Sequence, residues 1–359
     1  MSKTTLPQTY AIILAGGAGT RLWPLARASR PKPFLPLVQG QSLFRLTYER
    51  IAPLSGLRRV VVVAGAEHRS WVRRQAPEVA ADRLLLEERG RNTAAAVAAA
   101  ALWVRERSPN GIMIVLPSDH FITPIGAFRA AIRRAVRAAE RGGGLLTIGV
   151  PARFPDTGFG YIRPTKRLVA PGIHRVSSFV EKPGAARAHA MVRSGRYLWN
   201  SGIFVWKAEA ILDELGRHSP EVLEPLASWA RQRRGGPWRI PARTLRRVPS
   251  LPIDKAVLEK SARTLVQRAT FRWSDLGNWD ALGDILPKDR RGNGGIGRVV
   301  AVASSGCLGV SEGGLTVFVG VSDLAAVRSG DVLMVCHRRS AQHVREIARR
   351  FRAGRGAAL

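Results

Sequence analysis

An α/β fold is predicted: a mixed, mainly parallel sheet covered by helices, followed by a small C-terminal β-rich, solenoid-like domain. Three observations predict it. Through the first 150 residues, short apolar runs alternate with longer helical patterns. Those runs lack the polar alternation of a half-exposed strand, so their sheet must be covered on both faces. After Pro287-Lys288-Asp289 the pattern changes to short β-like runs separated by glycines.

Taken in order, Tyr10–Leu14 (YAIIL) is a buried strand that runs straight into a Gly-rich turn. Val60–Ala64 (VVVVA) is a second strand and Arg83–Leu86 a weaker third. Thr93–Val104 is Ala-rich without a breaker, which favours helix. Ile112–Leu116 (IMIVL) is another buried strand, Phe128–Arg141 a helix and Leu145–Val150 (LLTIGV) a strand. From 151 to about 285 the spacing is irregular, with Trp199, Trp206, Trp229, Trp238, Trp273 and Trp279 expected among loops. The stretch 233–252 is basic and Pro-rich, and is expected to form a surface loop or flap. The tail offers β-like runs at Val299–Ala303, Thr316–Val319, Ala325–Val327 and Val332–Cys336, then a basic helix at Ala341–Phe351.

Composition narrows the class. The chain has 359 residues, 45% hydrophobic and 23% charged, which is globular rather than disordered and long enough for two domains. We expect them at 1–288 and 289–359. No apolar run reaches the roughly 20 residues that span a bilayer, and the N-terminus lacks a signal-peptide core. Cys307 and Cys336 are the only cysteines, too few for a disulfide framework or a zinc cluster. A cytoplasmic protein with no membrane partner is expected. The formal net charge of +31 suits an anionic partner. Its arginines are dispersed rather than gathered in one stripe, which favours compositional bias and a small anionic substrate over nucleic acid.

Leu14–Leu37 (LAGGAGTRLWPLARASRPKPFLPL) is the most informative segment. A strand ending at Leu14-Ala15 and opening into Gly16, Gly17 and Gly19 lets backbone N–H groups approach an anion closely. GxxxxGK[ST] is absent, and Leu22 stands where the third Gly of GxGxxG belongs. Instead Arg21 follows Thr20, and Lys32 lies between Pro31 and Pro33. Two cations around a Gly cradle suit a triphosphate whose leaving pyrophosphate needs neutralising.

This segment resembles the signature of the sugar-phosphate nucleotidylyltransferases, and its Trp23 form is most similar to their mannose-1-phosphate-using guanylyltransferase branch. Further matches follow in family order: Glu87 with Arg91-Asn92-Thr93-Ala94, Pro117-Ser118-Asp119-His120, Thr157–Ile162, Phe179–Pro183, Leu198–Phe204, Ile253-Asp254 and Trp273–Trp279. Together they cover residues from about 10 to 285.

The resemblance implies a Rossmann-like nucleotidyltransferase domain and distributes roles. Asp119 and Asp275 would hold Mg²⁺, a cation that prefers hard oxygen ligands. Arg21 and Lys32 would neutralise the leaving group. Leu14, Ala15, Gly16, Gly17, Gly19, Thr20, Glu87, Asn92 and Ser118 would line the nucleotide, with Glu87 near the base. Guanine shows an N1–H and an exocyclic amine on one edge, a donor pair that a carboxylate can accept. Gly160, Glu181, Lys182, Asn200 and Asp254 would take the sugar phosphate: hydroxyls to the carboxylate and amide, phosphate to the Lys182 ammonium. The family pattern departs at Glu88, Ala95 and Pro252, where Pro, Pro and Ser are usual.

The expected reaction joins GTP and mannose 1-phosphate to give GDP-mannose and pyrophosphate, by in-line attack without a covalent enzyme intermediate. Two other readings stay open. One is a relative using another hexose 1-phosphate or nucleoside triphosphate; the other is a non-catalytic subunit that binds nucleotide sugars. A regulatory subunit would be expected to lose the cationic and acidic residues, yet Arg21, Lys32, Asp119, Lys182 and Asp275 are all present. The tail holds only His337 and His343, so no metal-binding isomerase centre is expected within it. It should instead support assembly, with a homodimer as the expected state.

Overall fold

The structure, a computed structural model, describes residues 6, 8–17, 19–344 and 346–347. They form two compact units. The first is drawn from residues up to Gly16, from Thr47–Ser118 and from Ile122–Trp273; the second from Gly17–Leu46, Asp119–Phe121 and residues from Ser274 on.

The first unit is built on a ten-stranded mixed sheet. Its strands, in chain order, are β1 (Thr9–Ala15), β2 (Val60–Gly65), β3 (Leu84–Glu87), β4 (Ile112–Pro117), β6 (Leu145–Pro151), β7 (Gly160–Ala170), β8 (Ile173–Glu181), β9 (Leu198–Lys207), β10 (Arg239–Ile240) and β11 (Thr264–Arg268). The short strands β5 (Phe121–Thr123) and β12 (Arg272–Ser274) stand outside it. The spatial order is β10-β3-β2-β1-β4-β9-β6-β11-β8-β7. β10 through β4 run parallel, as do β6 and β11. β9 inserts antiparallel between β4 and β6, and β8 pairs antiparallel with β11 and β7.

The apolar runs behave as their composition requires. Val60–Val63 and Ile112–Leu116 are buried throughout, because helices cover both faces of the parallel half. The helix Asn92–Arg107 is buried from Ala94 to Val104. Seven alanines in that stretch let it pack closely against β1–β4 and the helices Ala208–His218 and Pro220–Gln232. A helix apolar on all sides belongs in an interior.

Two expectations need correcting. The tryptophans lie within elements or in the core rather than among loops: Trp206, Trp238 and Trp279 are fully buried. The 233–252 stretch is no flap. Its scattered apolar residues Trp238, Ile240, Leu245 and Val248 are buried, and β10 pairs with the edge of β3. Prolines and arginines masked those anchors in the sequence. Of the basic helix expected at Ala341–Phe351, Ala341–His343 belong to a 3-10 turn that begins at Arg338, Val344, Glu346 and Ile347 are helical, and Arg345 and Ala348–Phe351 lie outside the described residues.

The second unit carries a four-stranded sheet, β13 (Gly294–Val302), β14 (Leu308–Val319), β15 (Leu324–Ser329) and β16 (Val332–His337). β13, β14 and β15 are parallel, as in a solenoid, and β16 returns antiparallel. One core joins this sheet to the Gly17–Leu46 segment: Leu22, Leu25, Leu35 and Leu37 are buried with Leu276, Trp279, Leu308, Val310, Ala325 and Val327. Elsewhere the sheet exposes apolar side chains. Val300 lies opposite Val317 and Val302 opposite Val319, and all four are exposed, as are Leu333 and Val335.

Candidate active site

β1, β2, β3 and β4 are parallel neighbours, so their C-terminal ends share one edge of the sheet, where α/β folds bind ligands. At that edge stand Leu14 and Ala15, Glu87 at the last position of β3, and Ser118 just past β4. Gly16 and Gly17 continue β1 and are exposed. Gly17 has φ +94°, a conformation open to glycine and costly for other residues. Gly19 has φ +57°, and a Cβ there would collide with the stem of Lys32. Thr20 opens a 3-10 turn that ends at Leu22. Asn92 begins the long helix at φ +66°, and its Oδ1 accepts the Thr93 N–H at 2.8 Å.

In the second unit, Arg21, Lys32, Asp119 and Asp275 come together. The Lys32 Nζ donates to Asp119 Oδ2 at 2.7 Å and to the main-chain oxygen of Asp275. Lys32 is only 5% exposed, so its ammonium is fixed by these partners rather than by water. Arg21 Nη2 lies 3.7 Å from Asp275 Oδ2, and its side chain remains half-exposed. Gly277 N–H donates to Asp275 Oδ1 at 3.1 Å, and a Cβ on Gly277 would meet both Asp275 and Arg21. Burial pushes the Asp119 carboxyl up, but the Lys32 ammonium, His120 and the hydrogen bond from Lys32 outweigh it and hold it below the usual carboxylate range. Trp279 Nε1 donates to the Trp23 carbonyl at 3.0 Å, tying the Asp275 loop to the Arg21 turn.

Among the described residues no set of three or more His, Cys, Asp or Glu stands ready to hold a metal. Lys32 nevertheless joins the Asp119 carboxylate to the backbone of Asp275, and two aspartates brought together in this way fit Mg²⁺, which takes one or two carboxylates and completes its shell with water and phosphate oxygens.

The first unit brings together Gly160, Glu181, Lys182, Asn200 and Asp254. Asn200 Nδ2 donates to Asp254 Oδ1 at 2.7 Å, and its Oδ1 accepts from Thr147 Oγ1 at 2.9 Å. One amide N–H of Asn200 is therefore left for a ligand hydroxyl. Gly160 faces Glu181 across the β7–β8 ladder. A Cβ there would come within 2.5 Å of the Glu181 carboxylate, so a larger residue would displace that carboxylate. Lys182 Nζ lies 3.2 Å from Glu181 Oε1 and is more than half exposed. Burial first, then the Glu181 carboxylate, pushes the Asp254 carboxyl above its ordinary range. Phe159 packs against Trp199 and Trp273, walling this cluster with aromatic surface.

At the C-terminal edge of the parallel strands, the buried Ser118 Oγ and Glu87 Oε1 lack a partner among the described residues. A buried polar atom left unpaired costs about 1–3 kcal/mol, so both positions suit a ligand that supplies the missing bond. Burial, then the Glu67 carboxylate, pushes the Glu87 carboxyl up to about 8. Its neutral form therefore favours folding below about pH 4.5, and that contribution is lost as pH rises through 8. Glu87→Gln is expected to gain thermal stability over the native chain progressively across this window and to level off above it. Each tenfold change in proton affinity is worth about 1.4 kcal/mol. Melting curves at closely spaced pH check it, and parallel curves for the two proteins would refute the assignment.

Two contributors escaped the sequence reading. Thr147 was the one hydroxyl in an apolar strand, a signal that could have been used. Glu259 carries no motif, yet its Oε1 accepts the Glu181 N–H at 2.6 Å from 78 positions along the chain.

Residues 10–292 match the family model described as nucleotidyl transferase, and residues 297–351 match one described as MannoseP isomerase/GMP-like beta-helix domain. The chain is 39% identical to the alginate biosynthesis protein AlgA of Pseudomonas aeruginosa, over 94% of this chain and 71% of that protein. It is 36% identical to a mannose-1-phosphate guanylyltransferase of Sinorhizobium fredii, over 98% of this chain and 69% of that protein. A crystal structure described as mannose-1-phosphate geranyltransferase from Thermus thermophilus superposes with a TM-score of 0.87 at 34% identity, covering 96% of this chain and 99% of that one.

Proposed function

The chain belongs to the nucleotidyl transferase family, and on that premise we propose that it transfers GMP from GTP to mannose 1-phosphate, giving GDP-mannose and pyrophosphate. The observation that carries the reading is the sugar-side cluster: the buried Asp254 carboxylate, the Asn200 amide that it orients, and the exposed Lys182 ammonium just past the end of β8. The choice of guanine rests on Glu87, whose buried oxygen lacks a partner. The choice of mannose draws on the relative named for that reaction.

The residues divide the work. Backbone N–H groups of the Gly16–Thr20 turn donate to the phosphates, and the Arg21 guanidinium meets the charge that develops on the leaving pyrophosphate. Lys182 holds the incoming phosphate, already ionised and nucleophilic, for in-line attack on the α-phosphorus. Glu181 and Asn200 hold sugar hydroxyls, with Asp254 fixing the Asn200 amide. Glu87 must ionise to accept both guanine donors, so GTP binding is expected to release a proton. Mg²⁺, held by Asp119 and Asp275, would supply further neutralisation of phosphate charge. Lys32 clamps those two aspartates in place. The exposed valines of the C-terminal sheet form an apolar face of the kind that marks an interface, and a second copy of the chain is the proposed cover.

Incubating the protein with a matrix of sugar 1-phosphates and nucleoside triphosphates, with pyrophosphate release as readout, tests the assignment. Highest kcat/KM with any other pair would replace it. Within the reaction, Lys182→Ala is expected to raise KM for mannose 1-phosphate about ten- to a hundredfold while leaving KM for GTP nearly unchanged. Arg21→Ala should act in the opposite sense. Equal effects of the two changes on both substrates would contradict the division.

A further inference from the structure

We infer that Glu259 is a positioning residue of the sugar-phosphate site, holding the Glu181–Lys182 turn in the conformation that presents the Lys182 ammonium. Three observations carry it. Lys182 has φ +53°, the left-handed region that a residue with a Cβ enters at a cost and keeps only when its surroundings hold it. Immediately before it, the Glu181 N–H leaves the end of β8 and donates to Glu259 Oε1 at 2.6 Å. Glu259 caps a π-helical turn, Asp254–Leu258, closed by the bond from Glu259 N–H to the Asp254 carbonyl at 2.9 Å.

The turn explains the pairing. In an α-helix, residues five apart point to different faces; the wider π turn changes that phase, and such turns occur mostly at functional sites. Here one turn delivers two carboxylates to two strands. Asp254 accepts from the Asn200 amide of β9, and Glu259 accepts from the backbone at the end of β8. The Asp254 bond orients the group that would meet sugar hydroxyls. The Glu259 bond fixes the backbone from which Lys182 projects. Lys182 N–H in turn donates to the Phe159 carbonyl at 3.2 Å, so the turn is held on both sides. Glu259 itself is exposed. A glutamate there adds negative charge beside Glu181 and Asp254, where an incoming phosphate gains nothing from it. A backbone clamp accounts for its presence.

This role rests on the reading of Lys182 as the phosphate-holding residue, and the experiment separates the two. Steady-state kinetics are compared for the native enzyme, Glu259→Ala, Glu259→Gln, Lys182→Ala and the double variant Lys182→Ala/Glu259→Ala. Glu259→Ala is expected to raise KM for mannose 1-phosphate about tenfold, with kcat and KM for GTP within about threefold. Glu259→Gln, whose amide oxygen can still accept the Glu181 N–H, should recover most of that loss. On the Lys182→Ala background the Glu259 change should add little, because both act through one ammonium. Fully additive losses, or a Gln variant as impaired as the Ala variant, would overturn the positioning role while leaving Lys182 in place. An unchanged KM for mannose 1-phosphate in Lys182→Ala alone would instead overturn the reading of the site. Glu259 lies outside the core, so the variants are expected to fold; matching melting temperatures verify it.

Discussion

Asp119→Asn and Asp275→Asn are each expected to lower turnover by about 10²–10³-fold, the scale on which a single preorganised charge partner acts in a site of this kind. The substitutions keep shape and remove charge. Asp119 is held ionised by Lys32 and His120 despite its burial, so at neutral pH the native side chain is an anion and the amide is not an equivalent. Asp275 offers its carboxylate toward Arg21 and its main-chain oxygen to Lys32. The Asn variant keeps the second contact and loses the first. This separates the two duties of the residue: folding around Lys32 should survive, and the electrostatic contribution to phosphate transfer should not. Pyrophosphate release at saturating substrates, measured across a Mg²⁺ titration, is the readout. Either variant turning over within tenfold of the native rate would remove that residue from the proposed metal site.

Ending the chain at Asp289 has the second large consequence. The sequence alone suggested a tail that assembles copies of the protein and leaves catalysis to the rest. The structure gives the tail a further duty. Leu308, Val310, Ala325 and Val327 share a core with Leu22, Leu25, Leu35 and Leu37, which flank Arg21 and Lys32. Glu312 of β14 pairs with Arg30 and accepts from Ser329 Oγ at 2.8 Å, and Arg27 Nη2 reaches the Ser329 carbonyl at 3.2 Å. Burying a leucine contributes about 1.5–3 kcal/mol. Stripping the cover from four of them leaves the Gly17–Leu46 segment without its packing. Truncation is therefore expected to reduce nucleotidyl transfer below about a hundredth of the native rate, while the apolar interior of the ten-stranded sheet keeps the first unit folded. Light scattering on the same sample reads the assembly role: a dimer that becomes a monomer supports the exposed valine face as its interface. A truncated protein that keeps a tenth or more of native activity would show that the loop does not need this support.

Much of the fold was legible because its signal is local. A strand covered on both faces reads as an apolar run wherever it stands, so the runs at 10–14, 60–64, 112–116 and 145–150 match β1, β2, β4 and β6 to within one residue at most ends. The helix Asn92–Arg107 was legible for the same reason, although its ends extend past the Ala-rich centre that revealed it. β10 was not. Its two residues take their strand conformation from the edge of β3, and nothing in RRGGPWRIPAR announces that edge.

The chemistry divides along the same line. Sequence by itself determined which groups are available: the glycines of the anion turn, the cations at 21, 32 and 182, and the acids at 119, 181, 254 and 275, each placed beside a turn or strand end. Their motif order was enough to indicate the family. Only the tertiary structure decided what each group faces. It turned the Lys32 ammonium onto Asp119, committed one N–H of Asn200 to Asp254, left Glu87 buried with an unpaired oxygen, and brought Glu259 to the Glu181 backbone. The physical reason is range. Propensity and burial act over a few neighbouring residues and leave a pattern in the sequence, whereas hydrogen bonds and ion pairs act over about 3 Å of space and join positions 78 or 87 residues apart.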